Sequence, residues 1–177
     1  MIVLRIIIEC IYTRHLGQRS QFQPQNHGFD SSYWIPYSVD MGSSAWLPGS
    51  GALPLPLLNG SDVLQQPVDL SKVSDLYIQQ ATDFISTQAA AKKPFVLYMA
   101  HSHVHVPDFT NTKFCNSSIR GRFGDAVQEV DNVIGSIYAA VTKAGVADNT
   151  LTFFTADNGP WLQKNLAGGS AGICIYY

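Results

Sequence analysis

Potential ligands collect at two places in this 177-residue chain. His101-Ser-His103-Val-His105 follows a strand-like run at residues 94–100, and Asp157-Asn158 follows a second at residues 150–155. A carboxylate beside an amide oxygen offers the hard donors that Ca²⁺ and Mg²⁺ take, whereas a softer site calls for more His or Cys. In open α/β sheets, ligands and chemistry gather just beyond the carboxyl ends of strands, so the two places read as parts of one site. Each also has a bland reading. Asp157-Asn158-Gly-Pro160 is good turn chemistry, and spacing alone favours a turn over a metal. Any one histidine can be a satisfied structural residue, although alternation along an extended segment sends all three to one side.

The elements that must position these residues can be read from period and punctuation. The opening run, residues 1–12, is rich in β-branched residues and reads as a buried strand. Arg5 and Glu9 interrupt it as a signal-peptide core, and no small-residue cleavage site follows. Residues 18–67 are rich in Gly, Pro, Ser and Asn and are expected to form a long irregular loop within a single partial domain spanning 1–177. Tyr33, Trp34, Tyr37 and Trp46 within it either anchor the loop to the core or line a cleft. From Ser74, read as an N-cap, Tyr77, Ala81, Phe84, Ile85 and Gln88 share one helical face. Pro94 stops that helix, and the run to Ala100 reads as a strand buried on both faces.

A second helix is predicted from Val127, Val130, Ile134, Ile137, Tyr138 and Val141, with Glu129, Asp131 and Lys143 on its solvated face and Gly145 at its end. Residues 150–155 then complete a strand, helix, strand unit whose strands are parallel. That geometry puts His105 and Asp157 on the same edge of a sheet.

Composition limits the partners. A formal net charge of -2 with 14% charged residues provides no basic stripe for nucleic acid and no polybasic patch for a membrane surface. The 46% hydrophobic content suits a globular domain, and no run is long enough to span a bilayer as a helix. Cys10, Cys115 and Cys174 lack the spacings of zinc or redox motifs. Asn59-Gly-Ser61 and Asn116-Ser-Ser118 are glycosylation acceptor sequences.

Leu151-Thr-Phe-Phe-Thr-Ala-Asp-Asn-Gly-Pro160, preceded by Gly121-Arg-Phe-Gly-Asp-Ala-Val-Gln-Glu-Val-Asp131, resembles the sulfatase family, in particular its arylsulfatase A, arylsulfatase G and N-acetylgalactosamine-6-sulfatase branch. His103-Val-His-Val-Pro107 is similar to that family's histidine loop, and residues 26–42 to the region after its Lys-Trp-His-Leu-Gly motif. The resemblance implies an alkaline-phosphatase-like α/β/α sandwich, present here as an incomplete catalytic domain. It also implies Ca²⁺-dependent hydrolysis of sulfuric esters by a formylglycine made from cysteine, acting on a sulfated small molecule or a sulfated glycan. By motif position Asp157 and Asn158 would be two Ca²⁺ ligands, His105 would contact sulfate and assist the leaving oxygen, and His15 would orient the formylglycine hydroxyls. For the full-length family member it implies a lysosomal or secreted location.

The pattern departs from the family at three places. Thr13-Arg14-His15-Leu16-Gly17 carries Thr13 where the family has its lysine, and Arg14 points to the opposite face of an extended chain. The family's N-terminal aspartate pair is absent, and so is Cys-x-Pro-Ser-Arg; Cys10-Ile-Tyr-Thr-Arg14 copies only its cysteine and arginine. Ile173-Cys-Ile-Tyr-Tyr177 replaces the stretch that would deliver a second lysine. The expectation is a sulfatase-related chain that is inactive alone. The alternatives are a non-catalytic chain that binds sulfated glycan or a partner and, ranked lowest, a metal-dependent phosphodiesterase, whose additional Asp and His ligands are not found.

Overall fold

The computed structural model describes residues 7–13, 16–42 and 53–172. His15, Arg14, Trp46, Cys174 and the first half of the opening run lie outside the described residues. A five-stranded mixed sheet carries two long helices on one face, an α/β arrangement. The strands are β1 (Ile7–Thr13), β2 (Ser31–Ile35), β3 (Leu57–Asn59), β4 (Asp62–Gln65) and β5 (Phe95–Ala100), in the order β4-β3-β2-β1-β5. The helices are α1 (Val73–Ala90) and α2 (Gly121–Lys143).

β1 is parallel to both neighbours, with Ile11 opposite Tyr33 on one side and Met99 on the other. Ile7, Glu9 and Ile11 of β1 and the odd-numbered residues of β2 and β5 face the helices. Ile11, Tyr33 and Ile35 are buried against Tyr77 and Ala81 of α1, and Phe95 and Leu97 reach the cluster that Phe84 and Ile85 form with Ala140 and Val141 of α2. On the other face the covering is local. Trp34 is fully buried with Leu58, Phe29 and Ala100, and its indole N–H donates to the Gly60 carbonyl at 2.8 Å.

Five expectations need correction. The stretch 18–67 is not one irregular loop, because it contains β2, β3 and β4. Ser31-Ser-Tyr-Trp-Ile35 has the aromatic and β-branched content of a strand, but the Gly, Asn and Pro around it hide so short a run. β3 and β4 form a hairpin closed by Gly60 and Ser61 between the paired Asn59 and Asp62, with Gly60 at φ +58°. Secondly, β5 is not buried on both faces. It is the edge of the sheet, with Val96 47% and Tyr98 52% exposed.

The third correction concerns residues 150–155, which pair with no strand among the described residues and leave Leu151, Phe153 and Phe154 on the surface. Local sequence can favour extended backbone, yet a ladder also needs an edge to pair with. α2 ends at Lys143, near its expected limit, but begins at Gly121, ahead of the first periodic residue Val127, and Gly145 at φ +71° turns the chain out of it. Its buried face is rotated from the predicted one: Val127 and Tyr138 are exposed, while Asp125, Ala126, Glu129 and Val133 are buried. Ser74 does not cap α1 but is buried inside its first turn; the side-chain cap is Asp69, which accepts from the Ser71 N–H in the short turn ahead of the helix.

Glu9 faces α1 from the middle of β1, only 2% exposed, and accepts from the Ser31 hydroxyl and, at 3.4 Å, from the Gln80 amide. Burial raises its carboxyl above the usual value near 4.5, and the two hydrogen bonds oppose that shift. A raised folded value means stability that is complete below about 4.5 and lost as pH rises through the folded value. Glu9→Gln removes this loss. Urea midpoints of the two chains are expected to coincide near pH 4 and to separate towards pH 7, the variant being the more stable.

Candidate functional site

The three histidines part company. His101 and His103 turn into the protein, where Tyr77 meets His101 edge-on at 5.7 Å between centroids and tilted contacts follow from His101 to His103 at 5.0 Å and from His103 to Phe109 at 4.1 Å. His101 Nε2 lies 3.4 Å from the Ser74 hydroxyl, and its Nδ1 accepts from the His103 backbone N–H at 3.1 Å. Burial, helped by the neighbouring His103, lowers the His101 pKa to about 3 against the opposing pull of Glu129. It is a neutral core residue at physiological pH.

The His103 side chain is 1% exposed, with Nε2 3.5 Å from Oε2 of the fully buried Glu129. The same Oε2 accepts the Asn111 backbone N–H at 2.7 Å. Glu129 therefore ties α2 to both ends of the loop that carries the histidines. Burial pushes its carboxyl up, but the His103 ring, the Ser74 hydroxyl and the Asn111 N–H outweigh it and hold the group below its ordinary value. Sequence reasoning placed Glu129 on a solvated face. The signal that could have found it is the spacing of Asp125 and Glu129, four residues apart and on the side of Ala126 and Val133. Asp125 has a similar anchoring part: its carboxylate accepts the backbone N–H groups of Asn116, Ser117 and Ser118 at 2.9, 3.1 and 2.8 Å.

His105 is exposed beyond the end of β5, and its Nδ1 lies 2.7 Å from the Val106 carbonyl. The expectation that all three histidines share one side fails because the loop leaves extended geometry to bury the first two. Asp157 and Asn158 sit in an exposed bend after residues 150–155. The two loops approach each other through Trp161, whose ring centroid is 6.4 Å from that of His105. Trp161 heads a turn ending at the buried Gly168, where a Cβ would collide with the Trp161 carbonyl, so glycine is needed to fold that turn back. Trp161 was not singled out by sequence reasoning.

The donor types at Asp157 and Asn158 suit Ca²⁺, which takes six to eight oxygens, but two residues cannot complete its shell. Among the described residues no group of three or more His, Cys, Asp or Glu is placed to hold a metal ion. Cys10 stands in the middle of β1, paired with Ser32 on one side and Tyr98 on the other. A depression bounded by Ser71, Lys72, Asp75, Gln79, Asn111 and Thr112 contains none of the candidate residues. Its Asp75 is already taken by Lys113 at 3.0 Å and Asn111 at 2.6 Å. No helix among the described residues is long and apolar enough to cross a membrane.

The family model described as Sulfatase matches residues 9–173. The chain is 35% identical over 170 residues to arylsulfatase A of Bos taurus, covering 89% of this chain and 34% of that protein. It is 35% identical over 174 residues to N-acetylgalactosamine-6-sulfatase of Rattus norvegicus, covering 89% of this chain and 31% of that one. It thus spans about a third of the length of the curated relatives it matches. Among solved structures, PsFucS1 sulfatase from Pseudoalteromonas sp. superposes with a TM-score of 0.81 at 22% identity, over 93% of this chain and 38% of that one. Ps i-CgsB in complex with k-i-k-neocarrahexaose gives 0.65 at 21%, over 82% and 36%.

Proposed function

Because the chain belongs to the sulfatase family and has the alkaline-phosphatase-like fold of its structural neighbours, we propose that it carries one half of a sulfuric ester hydrolase site and no turnover of its own. The observation that carries this reading is the approach of the histidine loop to the Asp157-Asn158 bend through the contact of His105 with Trp161. Asp157 and Asn158 would hold Ca²⁺ through a carboxylate and an amide oxygen, and the ion would supply positive charge against the sulfate oxygens. His105 would contact the sulfate and deliver a proton to the leaving oxygen. His15 keeps the part that its motif implies, orienting the nucleophile.

The substrate proposed is a sulfated glycan or a sulfated small molecule, and the compartment lysosomal or extracellular. Sulfuryl transfer spreads negative charge over its oxygens, so catalysis depends on positioning and electrostatic stabilisation. Thr13 in place of a lysine weakens that stabilisation. The 177 residues contain no Cys-x-Pro-Ser-Arg sequence, so no nucleophile is assigned. A chain with an ion-binding bend and an anion-facing histidine can still bind what it cannot cleave, and sulfated glycan binding without hydrolysis is the second reading. Purified chain with millimolar Ca²⁺ is expected to hydrolyse 4-methylumbelliferyl sulfate no faster than buffer. Hydrolysis that disappears in His105→Ala would overturn the reading.

A further inference from the structure

The turn ahead of α2 carries a motif for which the half-site has no use. Asn116-Ser117-Ser118 is one of two N-glycosylation acceptor sequences in the chain. Cys115, at φ −58° and ψ 128°, and Asn116, at φ +57°, are the central residues of a type II turn, closed by the Ser117 N–H donating to the Phe114 carbonyl at 3.2 Å. Such a turn takes Gly or Asn at its left-handed position, which gives Asn116 a structural part.

That part is played by the backbone alone. The N–H groups of Asn116, Ser117 and Ser118 donate to the Asp125 carboxylate and tie the turn to α2. Gly124 lets the turn sit close, because a Cβ there would collide with the Ser118 hydroxyl. The Asn116 residue is nevertheless exposed, and its side-chain amide makes no hydrogen bond among the described residues. Glycine would serve the turn equally well, so an amide is left at the surface with no part in the fold. Ile119, three residues on, is fully exposed, an apolar side chain that a bulky polar group on Asn116 would shield.

We infer that Asn116 is a site of N-linked glycosylation. The Asn116 side-chain nitrogen attacks C1 of the sugar in a lipid diphosphate-linked oligosaccharide. The N–C1 bond forms, the bond from C1 to the diphosphate oxygen breaks, the lipid diphosphate leaves with the electron pair, and the amide proton passes to a base of the transferase. Ser118 supplies the hydroxyl that the acceptor needs two residues on. In the folded chain that hydroxyl accepts the Arg120 N–H at 3.1 Å and packs on Gly124, so transfer belongs to the chain before this turn closes. Folding then leaves the glycan on the outside of a turn fixed to α2. The site presupposes the lysosomal or extracellular route proposed above; a leader supplies that route in the experiment, so failure of the site and failure of the route are told apart.

The test expresses the full chain behind a cleavable secretory leader in human cells, with Asn59→Gln to leave a single acceptor. Total cell protein is read by gel before and after peptide N-glycosidase F, which reports transfer whether or not a variant folds. The expected result is a mobility shift that the enzyme removes, leaving Asp labelled with heavy oxygen at position 116 when the digestion is run in heavy-oxygen water. Asn116→Asp and Ser118→Ala should each abolish the shift, and Ser118→Thr should keep it. On purified glycosylated chain the enzyme should act without denaturant and leave the helical circular dichroism unchanged. No shift with the single acceptor, a shift that survives Asn116→Asp or Ser118→Ala, or a glycan found only on chain without helical circular dichroism would overturn the inference.

Discussion

Glu129→Ala is expected to destabilise the chain by about 3–5 kcal/mol, a third or more of the stability of an ordinary domain. The carboxylate is fully buried, lies 3.5 Å from His103 Nε2 and accepts the Asn111 N–H at 2.7 Å. Alanine leaves that N–H without an acceptor, strands a buried imidazole and opens a cavity beside His103. Glu129→Gln keeps an acceptor and nearly the same volume, so its cost should be closer to about 1.5 kcal/mol. Urea unfolding of the three chains at pH 7 measures both differences.

The pH dependence has a definite sign. The Glu129 carboxyl is held below its ordinary value of 4.5, so its contribution is present above about 4.5 and disappears as pH falls through the folded value. The gap in stability between the parent chain and the Glu129→Gln variant should therefore narrow in acid. His101 acts in the same direction over a wider range. The unfolded chain takes up its proton below about 6.5, while burial keeps the folded imidazole neutral down to about 3.

Much of the architecture was legible because it rests on local signals. α2 was found from apolar period and a terminal glycine, α1 from Tyr77, Ala81, Phe84 and Ile85, and β5 from an apolar run set off by Pro94. Misreadings arose where the decisive partner lies far along the chain. Glu129 looks solvated until the histidine loop folds over it. Residues 150–155 have strand composition, but composition cannot provide an edge to pair with. β2 is five residues embedded among turn formers, and its place in the sheet is set by pairing with β1 and β3. For the site, residue types and strand ends pointed to His105, Asp157 and Asn158, whereas the separation of His105 from His101 and His103 came from a loop conformation that alternation does not predict.

The largest effect on activity is expected where the proposed half-site is joined to the rest of a sulfatase. Residues 9–173, the stretch matched by the family model, can replace the corresponding part of bovine arylsulfatase A, which brings its own nucleophile segment. In that chimera, on the roles proposed above, His105→Ala would remove a sulfate contact and a proton donor, and Asp157→Ala a charged oxygen ligand. Each should lower kcat/KM by about 10²–10³-fold, as expected for a group that stabilises charge in the transition state. Thr13→Lys should raise it by restoring a cation. The most direct measurement is aryl sulfate turnover by the chimera with and without His105→Ala and Asp157→Ala. The account predicts turnover in the parent chimera and a loss of at least about 10²-fold in either variant; turnover unchanged in both would show that these residues hold no part of the site.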